Sequence, residues 1–431
     1  MKTRVFLAAA LVALGFAACN NNDVPYFEEE GAKATISVRV FADKPLVRQV
    51  GDLTGGVEGT ECERRIHSLQ IFLFNPAEQF IHSAFFNENE LVETNDGFLA
   101  EGIETTVGER TMVVIANHPR ITGYPTKGEL LSRDFGTLVQ DIEDVGLVMT
   151  AVVESQHSFT LVPGENLFGR PVTTLHDHLP ANARHSPGAN LQLVRINARV
   201  ALTGVSFTNN TPDNRFSRFE LVEVAMFNVR NQTQLFHRPT TWITDDNNLF
   251  SFGEKAEIRR FPSSQSSYRI GTPTGSLIVN MEEEGIENLS DISVENAIFF
   301  YVFENDGDRV ETASAVSRPG SSGTFIVLRG KLLDDNNVQF KLPGIYTCPR
   351  GYTYYAIWIN DASFGVSPND EHNRGNNTIL RNRQYNIRVN LWGPGHPEID
   401  PKSEALLDVH VTVANWVEVE QNVNWGTPPT P

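Results

Sequence analysis

The chain is poor in cysteine and in positive charge, and each shortage removes a class of function. Three cysteines in 431 residues exclude a disulfide-stapled scaffold, and none has zinc-type spacing. Beyond Cys19, only Cys62 and Cys348 remain, far apart, and the sequence leaves open whether they pair. Lys and Arg number 35 against 53 Asp and Glu, a net charge of −18. Nucleic acid, whose phosphates demand basic patches, is therefore not an expected partner. The acidity fits solubility outside the cell. Catalytic signatures are lacking too. No Gly-x-Ser-x-Gly elbow, no His-Glu-x-x-His and no phosphate-cradling glycine loop occurs, so no catalytic residue and no cofactor is assigned and no enzyme is expected. Only one long apolar run exists, Val5 to Ala18, about 14 residues. That is too short to span a bilayer as a helix but suits the core of a secretory signal.

What surrounds that run carries information. Lys2 and Arg4 precede it, and Phe16-Ala17-Ala18-Cys19 closes it. Small residues leading into cysteine fit a peptidase that cuts at an acylated thiol, so residues 1–18 read as a signal peptide and Cys19 as a lipidated first mature residue. Acyl chains would then hold the protein at a membrane without a spanning helix. Asn20 to Gly31 is polar and acidic, with no apolar period, and reads as a tether.

The remainder is patterned as strands. Thr35 to Val40, Leu69 to Phe74, Leu193 to Val205, Leu221 to Val229, Ala297 to Phe303, Phe325 to Leu328, Tyr354 to Ile359, Tyr385 to Leu391, Val409 to Val413 and Trp416 to Trp425 alternate in the manner of sheets with one apolar face. Turn clusters such as Glu304 to Asp308 and Asp334 to Asn337 separate them. One stretch differs: between Glu129 and Val145 the apolar residues Leu130, Leu131, Phe135, Leu138, Val139 and Ile142 recur every three or four, which predicts a short amphipathic helix. Leu175 to Asn190, with Pro, Gly and His but no period, is the candidate boundary. The expected fold class is all-β with short helices: two tandem β-sandwiches, split near residue 188.

Candidate ligand sites are weak. His176, Asp177, His178 and His185 cluster near the boundary, but a loop does not preorganise metal ligands, and Asp306-Gly307-Asp308 lacks the rest of a calcium loop. No metal is assigned. Trp358 and Trp392 are the candidate aromatic platform of a glycan- or peptide-binding surface protein. The two ends of the chain are more telling. Thr35 to Phe41 is followed by Lys44-Pro45-Leu46-Val47-Arg48-Gln49 and a glycine-rich spacer, Gly51 to Gly59, so one cut there would detach the first strand. At the other end, Val409, Val411, Val413, Trp416, Val417, Val419, Val423 and Trp425 make a long alternating run that needs a pairing partner. The residues by themselves favour the simpler reading, in which both ends complete their own sandwiches.

Several blocks resemble the FimA-type major fimbrillins, subunits of type V pili in Bacteroides- and Porphyromonas-like bacteria. They are Gly108 to Asn117, Gly146 to Thr150, Arg381 to Ile387, Gly393-Pro394-Gly395, and Val411 to Val417 running on to Gln421-Asn422 and Trp425. They fall in the family's order over nearly the whole mature chain. The resemblance implies two transthyretin-like sandwiches and a structural, adhesive role in a surface fimbrium, with other copies, related subunits and host or bacterial surfaces as partners. It also implies export to the outer membrane as a lipoprotein through Cys19, then cleavage by an Arg-specific protease. The matching bond is Arg48–Gln49, with Arg39, Arg64 and Arg65 as rivals. The expected organisation is a signal peptide 1–18, a lipidated propeptide 19–48 holding the first strand, an N-terminal sandwich 49–188 and a C-terminal sandwich 189–431 ending in a strand donated to a neighbour. Gly426 to Pro431 and the Gly51–Glu63 spacer are extra lengths that an accessory or tip-associated subunit would also explain.

Overall fold

The computed structural model describes residues 31–42, 61–94, 97–153, 158–169, 178–185, 191–227, 229–236, 277–305, 323–360, 378–397, 399 and 407–415, with only the backbone of 61, 153 and 407–415. The protein is built of strands. The first half contributes β1 (Lys33–Phe41), β2 (Ser68–Phe74), β3 (Phe80–Asn87), β4 (Val92–Thr94), β5 (Gly97–Thr106), β6 (Gly108–Ala116), β7 (Asp134–Phe135), β8 (Met149–Val153), β9 (Phe159–Leu161), β10 (Gly164–Phe168), β11 (Arg184–His185), β12 (Leu191–Gln192) and β13 (Val194–Arg195). The second half contributes β14 (Asn197–Phe207), β15 (Arg218–Phe227), β16 (Thr233–Gln234), β17 (Ile278–Asn280), β18 (Ile298–Phe303), β19 (Phe325–Leu333), β20 (Gln339–Phe340), β21 (Tyr352–Trp358), β22 (Arg383–Leu391) and β23 (Leu407–Asn415). Among the described residues two short α-helices, α1 (Glu61–Arg64) and α2 (Lys127–Leu131), accompany them.

Pairing sorts most of these strands into two sandwiches, with β7 and β16 forming a separate two-stranded sheet. In the first, a sheet ordered β11-β10-β1-β5-β4, with β12 also on β1, faces a sheet ordered β13-β8-β6-β2-β3. Ile36, Val38 and Val40 meet Leu69, Ile71, Leu73, Met112 and Val114 between them. In the second, β18-β14-β22-β23 faces β17-β15-β19-β20, with β21 on β19, around Val200, Leu202, Val224, Met226, Val327, Tyr355 and Ile387. β13 ends at Arg195 in the first sandwich and β14 begins at Asn197 in the second.

Two expectations change. Leu69 to Phe74 does not face water on alternate residues: all six are buried. Phe72 and Phe74, together with Val113 and Ile115 of β6, join the core that continues into the second sandwich, so this sheet is covered on both faces. Gln70 survives inside because its amide bonds the backbone of Ile121 in both directions, at 2.8 and 2.8 Å. The helix expected over Glu129 to Val145 is only α2, capped by Thr126 and Glu129, and it stops at Leu131. Asp134 and Phe135 instead pair with Gln234 and Thr233. Leu130, Leu138 and Ile142 are buried all the same; the apolar period recorded burial, and cross-chain pairing took the backbone.

Candidate assembly site

β1 occupies the middle of its sheet. It runs antiparallel to β5 from Lys33↔Thr106 to Val40↔Phe98, and parallel to β10 and then β12 on the other flank. Ala34, Ile36, Val38 and Val40 point into the core, the last three fully buried. The outer face is covered as well: Leu99 and Leu167 pack with Leu179 and Ala183, and Arg39 beneath that layer is only 4% exposed and donates to Thr94 Oγ1 at 2.9 Å. Taking β1 away would leave a slot lined by backbone on two sides and apolar side chains below.

Local chemistry shapes this slot. The β1–β5 register shifts between Ile36 and Val38, and the Ser37 hydroxyl there accepts the Gly102 N–H at 3.3 Å. Gly97, at a φ of 140°, lets β5 approach closely: a Cβ there would lie 2.2 Å from the Val40 carbonyl, so only glycine fits. On the other flank, Asn166 is 2% exposed. Its Oδ1 accepts from Val162 N (3.0 Å) and lies 3.1 Å from His185 Nε2. Its Nδ2 donates to the carbonyls of Val162 (2.8 Å) and Gly164 (3.0 Å), and to Thr35 of β1 (3.2 Å).

Burial holds the His185 pKa below the ordinary imidazole value. The native ring therefore stays neutral where an unfolded one protonates. The stability this contributes is whole above about pH 6.5 and is lost as pH falls through the lowered native value. Melting followed from pH 7.5 to 5 should show a decline that is shallower in His185→Gln.

The candidate cleavage arginines differ in setting. Arg39 lies inside buried β1. Arg48 and Gln49 lie outside the described residues. Arg64 ends α1, and Arg65 is half exposed and paired with Glu88 at 2.9 Å. Beside them is a feature the sequence reading missed. Glu63 is fully buried, and both its carboxylate oxygens take Arg199 Nη1 at 2.8 Å. Tyr301 donates its hydroxyl to Glu63 Oε1 at 2.8 Å, and Arg195 Nε donates to the Glu63 carbonyl at 3.1 Å. Desolvation and the carboxylate both raise the Tyr301 pKa, keeping it a proton donor. The signal in the sequence was Arg199, a charge standing in the largely apolar Ala198 to Val205 stretch.

The final run is placed at an edge. β23 pairs antiparallel with β22 from Leu391↔Leu407 to Arg383↔Asn415 and, among the described strands, with nothing else. Val409, Val411 and Val413 lie on it; Trp416, Val417, Val419, Val423 and Trp425 lie outside the described residues, as does Cys19. The Asn415 end sits beside the first sandwich, since Asn382 donates to the Asn197 carbonyl at 2.8 Å; the Leu407 end is the far one. β1 is oriented so that its Phe41 end, bonded to Leu193 at 2.9 Å, faces the second sandwich and its Lys33 end faces outward.

The other candidates disperse. His178 pairs with Glu165 at 3.1 Å while His185 is turned to Asn166; His176, Asp177, Asp306 and Asp308 lie outside the described residues. Among the described residues no three His, Cys, Asp or Glu side chains gather as metal ligands. Cys62 and Cys348 are free thiols. Trp358 is buried against Phe325 and Trp392 is partly exposed, so the two form no shared platform.

Comparison with known proteins agrees with this arrangement. A family model described as "Major fimbrial subunit protein (FimA)" matches residues 34–203, and one described as "Major fimbrial subunit protein type IV, Fimbrillin, C-terminal" matches 347–422. The chain is 26% identical over 442 residues to "Major fimbrium subunit FimA type-4" of Porphyromonas gingivalis, covering 99% of this chain and 100% of that protein. It is 24% identical over 447 residues to "Major fimbrium subunit FimA type-2" of the same organism, with the same coverage. Among solved structures, a fimbrilin of Porphyromonas gingivalis W83 superposes with a TM-score of 0.61 at 20% identity, over 90% of this chain and 99% of that one. A putative cell adhesion protein of Parabacteroides distasonis superposes with a TM-score of 0.57 at 17% identity, over 89% and 99%.

Proposed function

Since this chain belongs to the FimA-type major fimbrillin family, we infer that it is a structural subunit of a surface fimbrium that polymerises by exchanging one strand for another. In this reading the precursor is held in the outer membrane through acylated Cys19. An Arg-specific protease cuts after Arg48, the leading segment with β1 departs, and the run from Val409 to Trp425 of a second copy fills the slot. The observation that carries the reading is the contrast between the two ends. β1 is an internal strand with pairing on both flanks, so its removal opens a site; β23 is bound on one flank and can be given up. Main-chain pairing with pockets for alternate side chains is the chemistry of strand addition.

Geometry supports release of the whole run rather than its last part. Freed from Leu407, it leaves at the far end of the second sandwich and points away from its own slot, as an end-to-end filament requires. Freed only from Trp416, it would start beside its own first sandwich. The position of Glu63 supports Arg48 over Arg64 and Arg65. A cut at either of the latter would send Glu63 off with β1 and strand Arg199, which is 1% exposed, at a cost of about 3–5 kcal/mol. A cut at Arg48 leaves the Glu63 cluster in the mature body. N-terminal sequencing of the chain taken from cell surfaces tests this: assembled material should begin at Gln49. A chain still starting at acylated Cys19 would retain β1 and favour a monomeric surface lipoprotein.

A further inference from the structure

Strand exchange, on which this inference rests, dictates where two successive copies meet. The departing run has Leu407 and Asp408 ahead of its first valine, Val409, a reach of about 7 Å when fully extended. Leu407 lies beside Leu391 at the far end of the second sandwich. The outward mouth of the slot is at Lys33, which registers with Thr106, where β5 turns into β6. With Leu407 held in place, a valine can enter that mouth only if the two ends touch.

We propose that the far end of the second sandwich is a docking face for the next copy, and that it receives Val107, a residue uncovered when the leading segment departs. Apolar exposure gathers at this end. Val338 and Ile345, 61% and 59% exposed, are the most exposed large apolar side chains among the described residues, and Trp392 joins them at 36%. Trp392 directly follows Leu391, and its carbonyl accepts the Asn210 N–H at 2.9 Å. Val338 closes the turn between β19 and β20, its carbonyl accepting the Asp334 N–H at 3.0 Å. Ile345 lies in the turn after β20. Beneath the last two is an ordered floor: the rings of Phe340 and Tyr346 lie 5.4 and 6.1 Å from that of buried Phe216. Apolar side chains gathered in the open in this way mark a contact surface.

The mouth of the slot changes with cleavage. In the precursor the Val107 N–H donates to the Ala32 carbonyl at 2.9 Å. A Cβ placed on Gly31 would lie 3.7 Å from Val107 Cγ2, so the leading segment partly covers this residue. Gly31 and Ala32 belong to the part that leaves, and Val107 stays behind. The turn that carries it is firmly held. Buried Arg110 donates through Nη2 to the carbonyls of Thr106 and Val107, each at 3.1 Å, and through Nη1 to that of Glu109 at 2.9 Å. None of these bonds involves β1, so the turn keeps its shape when the slot empties, and docking loses little entropy. The event that opens the slot also bares the residue that docks.

Two measurements on trypsin-cleaved copies separate this contact from strand exchange: the rate of filament growth, and binding of a labelled peptide spanning residues 407–425 to the emptied slot. Val338→Asp combined with Ile345→Asp alters two well-exposed side chains, so the fold should persist. Its filaments should grow about ten-fold more slowly, the worth of one partly buried apolar side chain, while the peptide binds as it does to the parent. Val92→Asp, an exposed apolar position on β4 at the inner end of β5, should grow at the parental rate. Val107→Lys should slow growth likewise, and adding Ile345→Asp to the same chain should restore it, since each junction then joins opposite charges. Unchanged growth in the Val338 and Ile345 variant, or equal slowing in Val92→Asp, would overturn the docking face. A Val107→Lys chain that Ile345→Asp fails to restore would overturn its pairing with that turn. A cleaved parent that takes up no peptide would instead count against strand exchange itself.

Discussion

Brief trypsin treatment of the purified precursor should turn monomers into filaments visible by negative stain, and an Arg48→Ala precursor treated in the same way should stay monomeric. The size of the effect follows from how β1 is held. While it is covalently attached, β1 competes for its slot at an effective concentration on the order of millimolar, whereas another copy's strand at micromolar concentration is about a thousand-fold weaker a competitor. One cut abolishes that advantage. It does not by itself empty the slot, because Ile36, Val38 and Val40 remain fully buried and both flanks remain hydrogen-bonded. Filaments should therefore lag behind cleavage, with the lag shortened by mild denaturant and lengthened by added peptide corresponding to Lys33–Phe41. Arg39 should resist the protease, being buried in the strand, so the released fragment should contain β1 intact. Filaments from Arg48→Ala would move the cut to Arg64 or Arg65, and a cleaved chain that loses β1 and remains monomeric would sink strand exchange as the mode of assembly.

The sequence was legible where a single strand reports its own surroundings. In Thr35 to Phe41 the alternating Ile36, Val38 and Val40 are all found inside, as are Tyr385, Ile387, Val389 and Leu391 in the later run, although Arg39 and Asn386 are buried with them. Legibility failed where burial is decided by elements far away in the chain. Phe72 and Phe74 read as one half of an alternating pair of faces, yet the continuation of the core into the second sandwich covers them. Leu138 and Ile142 carry a helical period, yet the chain at Asp134 and Phe135 is taken up by pairing with β16. The slot shows the same division. Its two chemical ends, the first strand and the final run, stand out as patterns; Asn166, which bonds the Thr35 carbonyl of β1 from across 131 residues of chain, and His185, which meets Asn166 in turn, look like ordinary loop residues. Glu63 is the extreme case. In Glu61-Cys62-Glu63-Arg64-Arg65 nothing marks one carboxylate as the buried one, since its partners lie 136 and 238 residues away.

That carboxylate should also be the most expensive polar group to remove. Glu63→Ala is expected to destabilise the precursor by about 3–5 kcal/mol, seen as a lower urea midpoint with an unchanged slope for the transition that reports the first sandwich. The cost comes less from the ion pair as such than from what would be left behind. Arg199 is 1% and Arg195 0% exposed, and both would be confined beside Tyr301 without the carboxylate that the first of them grips with two bonds. Desolvating both members of a pair consumes most of what their attraction returns, so removing both should be much milder than removing one. Glu63→Leu combined with Arg199→Met should accordingly recover a large part of the loss shown by Glu63→Ala alone. If the single and double variants are equally unstable, the cluster acts by shape and packing, and the argument from a stranded Arg199 against cleavage at Arg64 or Arg65 goes with it. If the double variant recovers and its cleaved form still assembles, the ion pair serves to keep α1 and the start of the mature body fastened to the second sandwich while β1, on the other side of the cut, is free to leave.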